Sequence, residues 1–243
     1  MSNLKDNNDS LQSILEKIKG LPDSNYNDWI EEGKQIQYNW FWDNYSPTTC
    51  NGQFMFAGKG WNDETFKPPI GIVIKPTYPY MMFAGTGITD LVALCEERNI
   101  TIDFSETTTT QYIFYNGSSA LITHVGVIDI RKCDRVMNMI NGTAKLETVD
   151  NLILRDDGSQ TFTTPIEGCT SLKNLTITGK IGQDGMRLNS CPLTHDSLMS
   201  VINALYDYSG TTTTRTITLG TTNINKLTEA EKAIATQKGW SLV

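Results

Sequence analysis

Two aspartates are the residues whose type and position come closest to a catalytic pair. Asp103 and Asp129 each stand between two apolar residues, in the triplets 102–104 and 128–130. If these triplets are neighbouring strands stacked in register, the two carboxylates lie ~5 Å apart on the exposed face of a sheet. Glycosidases use two carboxylates, but no other motif in the sequence supports hydrolysis. A polar row on an exposed sheet is the simpler interpretation. We therefore expect a protein that is not an enzyme, and keep an acidic-pair hydrolase as an alternative.

The histidines and cysteines do not add a second group of reactive or metal-binding side chains. We place His124 in a repeat turn and His195 in the first turn of a helix, and neither has a Cys or a second His at ligand spacing. The cysteines are dispersed and odd in number, which favours reduced, mostly buried thiols. They are Cys50, Cys95, Cys133, Cys169 and Cys191. We predict no catalytic residue, no metal and no cofactor.

Glycine motifs mark a repeat in this chain. Residues 55–60 read MFAGKG, and residues 82–87, 27 positions later, read MFAGTG. Neither continues into a GxGxxG motif or a P-loop. Three looser units follow, each with an apolar residue two positions before a Gly and a Leu four positions after it. They are Tyr115…Gly117…Leu121, Ile140…Gly142…Leu146 and Ile166…Gly168…Leu172, at steps of 25 and 26 residues. A period of this size predicts a solenoid.

Seven short apolar-x-apolar pairs predict the strands. They are Ile72/Ile74, Ile102/Phe104, Ile128/Ile130, Leu152/Leu154, Leu175/Ile177, Ile217/Leu219 and Trp240/Leu242, at steps of 30, 26, 24, 23, 42 and 23 residues. Strands so spaced, without tight hairpins between them, should pair in parallel through right-handed connections. The inward positions predict a core that includes Leu146, Leu152, Leu154, Leu172, Leu175 and Ile177.

Helices are predicted between some of these strands. The long step contains a helix that Thr194 caps, and a second helix opens with a capping box at Thr228 and extends to about Gln237. Residues 91–98 form a third predicted helix.

Residues 1–45 are interpreted as a separate helical region that covers the first coil. A short helix begins after the cap Ser10, and a second, rich in aromatic residues, spans about 28–45. We expect Trp40 and Phe41 to cover the end of the stack; a ligand-stacking platform is the alternative. The first helix is shorter than two heptads, so any self-association through it is expected to be weak.

One segment resembles a known repeat. Residues 166–177, IEGCTSLKNLTI, are similar to the unit of BspA-like leucine-rich repeats, aromatic-x-x-Cys-Thr-x-Leu-x-x-Ile-x-Ile. Residues 143–149 are similar, with Thr143-Ala144 at the Cys-Thr position. The resemblance covers roughly residues 54–243, and the C-terminal part looks like that of uncharacterised bacterial and prophage-borne proteins. It implies a protein-interaction or adhesion surface and no shared catalytic residues.

The expected fold is therefore α/β. It is a right-handed β/α leucine-rich-repeat solenoid with parallel strands over residues 46–243, with helical C-terminal units and the short helical region 1–45 before it.

The charge and hydrophobicity of the chain indicate which classes of partner it can bind and where in the cell it is expected. Asp and Glu number 27 against 20 Lys and Arg, for a net charge of −7, and no basic block is present. Nucleic-acid binding is therefore not expected. No stretch approaches the roughly 18 apolar residues of a membrane span, and the N-terminus lacks the apolar core of a signal peptide. We expect a chain that is cytoplasmic as synthesised. Its release from the cell, or its carriage on a phage particle, would need a route other than a signal peptide.

The functional hypothesis is a non-catalytic module that binds a protein or a glycan through the exposed strand face. The candidate binding residues are Asp103, Asp129, Ile153, Thr176 and Thr218, flanked by Arg131, Arg155 and Thr178. A structural or host-recognition component of a phage or prophage particle is the second hypothesis.

Overall fold

The computed structural model describes residues 50–58, 60–115 and 121–243. These residues form a mixed α/β structure with short strands and few helices, in which all pairings between the strands are parallel. The parallel arrangement predicted from the spacing is confirmed. The two predicted N-terminal helices, with Trp40 and Phe41, lie outside the described residues.

Nine strands occur in the described part of the chain, in four sheets. They are β1 (Val73–Ile74), β2 (Thr101–Ile102), β3 (His124–Asp129), β4 (Arg135–Met137), β5 (Thr148–Ile153), β6 (Thr161–Thr163), β7 (Asn174–Thr178), β8 (Arg215–Ile217) and β9 (Trp240–Leu242). The sheets are β1-β2, β3-β5-β7, β4-β6 and β8-β9. Each of the seven predicted apolar pairs overlaps one strand, whereas β4 and β6 were not predicted.

The register of the three-stranded sheet differs from the one that the apolar pairs suggest. Ile128 of β3 pairs with Leu152 of β5, as expected, but Leu152 pairs with Ile177 of β7. Between Val149 and Leu152 the strand β5 has two residues where β7 has one. This extra residue is a bulge, and it moves β7 so that its second apolar residue, not its first, continues the row.

The glycine repeat of the sequence is a repeat of the structure. The amide of Gly58 donates to the carbonyl of Ala84 at 2.8 Å, and the amide of Gly85 donates to that of Tyr115 at 3.2 Å. The amide of Gly142 donates in the same way to the carbonyl of Glu167, at 2.7 Å. Gly58, Gly85, Gly142 and Gly168 have φ of 89°, 66°, 74° and 73°, a region that favours glycine. Corresponding turns therefore stack on one another.

Four helices are described. They are α1 (Leu91–Glu97), α2 (His195–Ala204), α3 (Thr221–Ile224) and α4 (Glu229–Gln237). The predictions for α1, α2 and α4 are confirmed, including the cap Thr194 and the capping box of Thr228 with Glu231. The helix α2 lies beside β7, since the hydroxyls of Ser197 and Ser200 accept the amides of Leu175 and Ile177 at 2.9 and 2.8 Å. A helix therefore occupies the place of a fourth strand.

The core matches the prediction. Leu146, Leu152, Leu154 and Leu172 are 0% exposed, Leu175 is 2% exposed and Ile177 is 8% exposed. The rings of Phe56, Phe83 and Phe114 form a buried column, with centroids 5.3 and 5.2 Å apart. Stacked turns thus bury equivalent side chains against each other.

Candidate functional site

The outward residues of the β3-β5-β7 sheet form rows across the three strands. Asp129, Ile153 and Thr178 are in register, so the row predicted to run from Asp129 and Ile153 to Thr176 passes instead through Thr178. Thr176 is exposed and lies opposite the bulge. The side chain of Val127, in the preceding row, is exposed beside Asn151. We call the outward side of these three strands the sheet face.

Asp129 is held in an ion pair on this face. Its two oxygens accept Nε and Nη2 of Arg131 at 3.0 and 2.7 Å. The hydrogen bonds from Arg131 lower the pKa of Asp129, and they outweigh the opposing effects of partial burial and of the Asp103 charge. The side chain of Asp129 is only 13% exposed. It is therefore an ionised, largely covered group, in contrast to the accessible carboxylate that the alternation predicted.

Asp103 does not lie on a strand that pairs with β3. The strand β2 before it pairs with β1, and Asp103 itself caps the 3-10 turn Phe104–Glu106 by accepting the amide of Ser105. The predicted in-register stacking of Asp103 on Asp129 is therefore wrong. The helix α1 is the reason: a Cβ at Gly126 would lie 3.4 Å from Val92 Cγ2, so α1 packs beside β3.

The electrostatics of Asp103 do not suit a general acid. Partial burial would raise the pKa of Asp103, but the hydrogen bonds from Ser105 and the ion pair with Lys75, at 3.0 Å, outweigh it, and the pKa is lowered. The pKa of Asp129 is lowered as well. A glycosidase acid needs a pKa raised toward neutrality. Both carboxylates are therefore ionised at neutral pH.

The remaining predicted site residues divide between this sheet and other parts of the fold. Arg155 is half-buried, and its guanidinium donates to the carbonyl of Arg131 at 2.7 Å and to the carboxylate of Asp134 at 2.7 Å. It therefore holds the turn after β3. Thr218 follows β8 and forms an isolated parallel β-bridge with Arg187, so it does not belong to the sheet face. Arg131 is exposed at the end of β3.

His124 is the centre of a cluster that the sequence analysis missed. It is the first residue of β3, not part of a turn, and its Nε2 lies 2.8 Å from Asp150 and its Nδ1 3.3 Å from Asp90. Asp150 stands 26 residues further on, one repeat step, which was the signal in the sequence. The two carboxylates flank opposite sides of the ring. Consistent with this divergence, no metal-binding group of three or more such side chains occurs among the described residues.

The environment of His124 favours its charged form. Partial burial alone would lower the pKa of His124, but the hydrogen bond and charge of Asp150, together with the charge of Asp90, outweigh it. The pKa of His124 is therefore raised above its ordinary value. Since Asp90 also caps α1 by accepting the amide of Ala93, the imidazolium links the helix to the sheet.

A groove of about 460 Å³ lies between α1 and β3. Its walls are mostly apolar, with Val92, Phe114 and Val127 among them, and Glu96 and Asp150 also line it. Cys95 lines it too, but burial raises the pKa of its thiol to about 12. Since the thiolate is the nucleophile, this raised pKa does not favour a catalytic role for Cys95.

The other cysteines are structural. Cys50, Cys133, Cys169 and Cys191 are buried, as predicted. Burial raises the pKa of Cys133 to about 12, and its Sγ donates to the carbonyl of Thr107 at 3.1 Å. The Sγ of Cys169 donates to the carbonyl of Ile140 at 2.8 Å, so these two thiols satisfy backbone carbonyls of the preceding turns.

Within the part of the chain that the structure describes, no helix combines the length and the apolar character needed to cross a bilayer. No family model, curated protein or solved structure matches this chain.

Proposed function

We propose that this chain is a non-catalytic binding module, a solenoid of leucine-rich-repeat type that holds a protein partner on its sheet face. The stacked glycine turns and the parallel strands support the solenoid, because each repeat then contacts mainly its neighbours. The in-register rows across β3, β5 and β7 are the observation that carries the binding role. Solenoids use such extended surfaces for recognition.

The composition of the sheet face favours a protein partner. Exposed Val127 and half-buried Ile153 offer apolar contacts among polar neighbours such as Thr176 and Thr178. The strands β3, β5 and β7 contain no Trp, Tyr or Phe, the rings on which sugars stack. A mixture of apolar contacts and polar groups on a broad surface is typical of protein interfaces.

Substitutions at Thr176 test this function. Asp129 is a poor probe because its replacement also removes the ion pair with Arg131, whereas Thr176 is exposed. Full-length wild type and Thr176→Arg would be used to isolate binding partners by cross-linking, and each purified partner would then be titrated against both. Gln237→Arg, an exposed site at the end of α4, adds the same charge and is the matched control.

We expect a partner that binds wild type and Gln237→Arg but binds Thr176→Arg at least roughly tenfold more weakly. If every partner binds Thr176→Arg as tightly as it binds wild type, the sheet face is not the binding site. Turnover of a glycan or peptide that disappears in Asp103→Asn or Asp129→Asn would contradict the non-catalytic proposal.

A further inference from the structure

A second surface follows the turns, not the β3-β5-β7 sheet. Five residues occupy equivalent positions in successive turns, and all have positive φ although none is glycine. They are Phe54, Met81, Tyr112, Asn138 and Thr164, with φ of 53°, 52°, 60°, 42° and 43°. Asn138 follows β4 and Thr164 follows β6, so this row continues the edge of the β4-β6 sheet. The sheet face and this row are therefore built from different strands.

Backbone hydrogen bonds stack these turns on one another. The amide of Phe54 donates to the carbonyl of Tyr80 at 3.0 Å, and the amide of Asn138 donates to that of Thr163 at 3.0 Å. Stacked parallel segments are ~4.8 Å apart, so five turns present a row roughly 19 Å long. The row is long enough to contact several units of an extended ligand.

The first three turns carry a continuous group of aromatic rings, which we call the aromatic strip. It consists of Phe54, Tyr78, Tyr80, Tyr112 and Tyr115. Tyr80 is central, with its ring centroid 5.5 Å from Phe54, 6.1 Å from Tyr78 and 6.3 Å from Tyr112. Tyr115 lies 4.9 Å from Tyr112. Tyr78 and Tyr80 are stacked with an interplanar angle of 25°, whereas the other three contacts are edge-to-face. The strip is thus one connected cluster of rings across three turns.

Three of the five rings of the aromatic strip are exposed, and the rings of Tyr80 and Tyr112 are half-buried. Phe54 is 49% exposed, Tyr78 is 41% exposed and Tyr115 is 37% exposed. A core-forming role belongs instead to Phe56, Phe83 and Phe114, which are at most 1% exposed. Contiguous exposed apolar surface of this kind marks an interaction site. The protein therefore keeps two aromatic sets, one for packing and one at the surface.

Neutral hydrogen-bonding groups extend the strip into the next two turns. Nδ2 of Asn138 donates to the hydroxyl of Tyr112 at 3.3 Å, and Oδ1 of Asn138 accepts from Nδ2 of Asn141 at 3.2 Å. The hydroxyl of Thr164 donates to the same Oδ1. An amide nitrogen has two hydrogens and a tyrosine hydroxyl both donates and accepts, so this end can form further hydrogen bonds with a ligand.

We propose that the aromatic strip and the adjoining Asn138 and Thr164 bind a neutral glycan chain. The C–H faces of pyranose rings carry partial positive charge and pack on the electron-rich faces of aromatic rings. Sugar hydroxyls pair with amide and hydroxyl groups, which the polar end supplies. A single-stranded nucleic acid also stacks on rings, but it needs a basic groove, and the chain has a net charge of −7. The chemistry therefore fits an uncharged polysaccharide.

Calorimetric titration of the full-length protein tests the proposal. The probes are four neutral oligosaccharides, cellohexaose, laminarihexaose, maltohexaose and chitohexaose. We expect at least one to bind at concentrations up to about 1 mM. Tyr80→Ala and Tyr112→Ala should weaken that binding roughly tenfold, because each removes a stacking ring. Tyr80→Phe keeps the ring and should stay within roughly twofold of wild type.

Controls separate this site from folding and from the sheet face. Val127→Ala removes an exposed apolar side chain of the sheet face and should leave glycan binding unchanged, and thermal unfolding of each variant checks the fold. Failure of all four probes to bind would overturn the proposal, as would unchanged binding by Tyr80→Ala. A wild-type dimer that Tyr80→Ala converts to monomer, without glycan binding, would assign the strip to self-association. Thr176→Arg reports on the sheet face independently, so the two proposals can fail separately.

Discussion

Buried amide side chains complete the hydrogen bonding of individual turns. Gln160 is 0% exposed, and its Nε2 donates to the carbonyls of Ile130 and Cys133 at 2.8 and 2.9 Å. Asn223 donates in the same way to the first and last carbonyls of the turn 188–191. Both turns have a residue-i to residue-i+3 backbone bond and end at a cysteine. One structural solution is thus used twice, with side chains from different strand–turn units.

Gln160→Ala should lower the free energy of unfolding by about 3 kcal/mol, because buried polar groups without partners cost about 1–3 kcal/mol each. The amide of Arg155, 2.7 Å from Oε1 of Gln160, would lose its partner together with the two carbonyls. Urea titration measures the change. The exposed Gln237→Ala is the control and should change stability by less than about 0.5 kcal/mol. A loss below about 1 kcal/mol in Gln160→Ala would mean that water replaces the side chain.

The His124 cluster predicts a pH dependence of stability with a definite sign. The pKa of His124 is raised in the folded protein above its ordinary value of 6.5. The stabilisation is therefore fully present below pH 6.5 and is lost as pH rises through the folded pKa. The difference in unfolding free energy between wild type and His124→Gln should be largest at about pH 5.5 and smallest at about pH 8.5.

Asp150→Asn provides the matched test for the histidine. It keeps the shape of the side chain but removes the charge that favours the imidazolium. The pH dependence of its stability, compared with that of wild type, should therefore be reduced in the same window. A wild-type minus His124→Gln difference that grows with pH, measured by urea titration, would contradict the assignment.

For the strands and helices, the periodicity of the sequence predicts where each element lies better than it predicts the register between neighbouring strands. The strands β3, β5 and β7 and the caps Thr194 and Thr228 follow from local patterns, since alternation and capping residues are encoded over a few positions. The bulge in β5 is not visible in such a pattern. It becomes apparent only from the pairing of Leu152 with Ile177.

The candidate site residues were predictable where local spacing decides their position, and not where tertiary packing decides it. Asp129 and Ile153 were placed correctly beside each other because one repeat step joins them. Asp103 was misplaced because α1, and not β2, packs on β3, which is a tertiary choice. The aromatic strip was missed because its ring-bearing turns recur at uneven steps: Phe54, Met81 and Tyr112 are 27 and 31 residues apart.

Leu172 tests the assignment of the repeat unit that contains β7. It is 0% exposed, and its amide closes a turn on the carbonyl of Cys169 at 3.1 Å. Leu172→Ala should lower the unfolding free energy by about 2–5 kcal/mol, the usual cost of a large cavity in a packed core. Exposed Thr170→Ala in the same turn is the control. An effect of Leu172→Ala below about 1 kcal/mol in urea titration would show that the repeat is wrongly assigned.

For the whole molecule, the proposed solenoid predicts that stability varies along the chain. The strands β3, β5 and β7 form the widest sheet of the described residues, and α2 covers β7. The pairs β1-β2 and β8-β9 contain two and three residues per strand. In a one-dimensional array each unit depends on its neighbours, so units with fewer partners open more easily. Amides of residues 124–178 should therefore exchange with solvent more slowly than those of residues 73–102.

Hydrogen exchange in Leu172→Ala then distinguishes a solenoid from one fully cooperative domain. The cavity lies in the turn that precedes β7. In a solenoid the loss of protection should therefore be greatest in residues 148–205 and small in residues 73–102. In a single cooperative unit, the most protected amides throughout the chain would lose protection by the same factor. Mass-spectrometric exchange of wild type and Leu172→Ala, under the same native conditions, measures both regions in one experiment. A uniform loss would contradict the proposed solenoid, whereas a loss confined to the neighbours of Leu172 would support it.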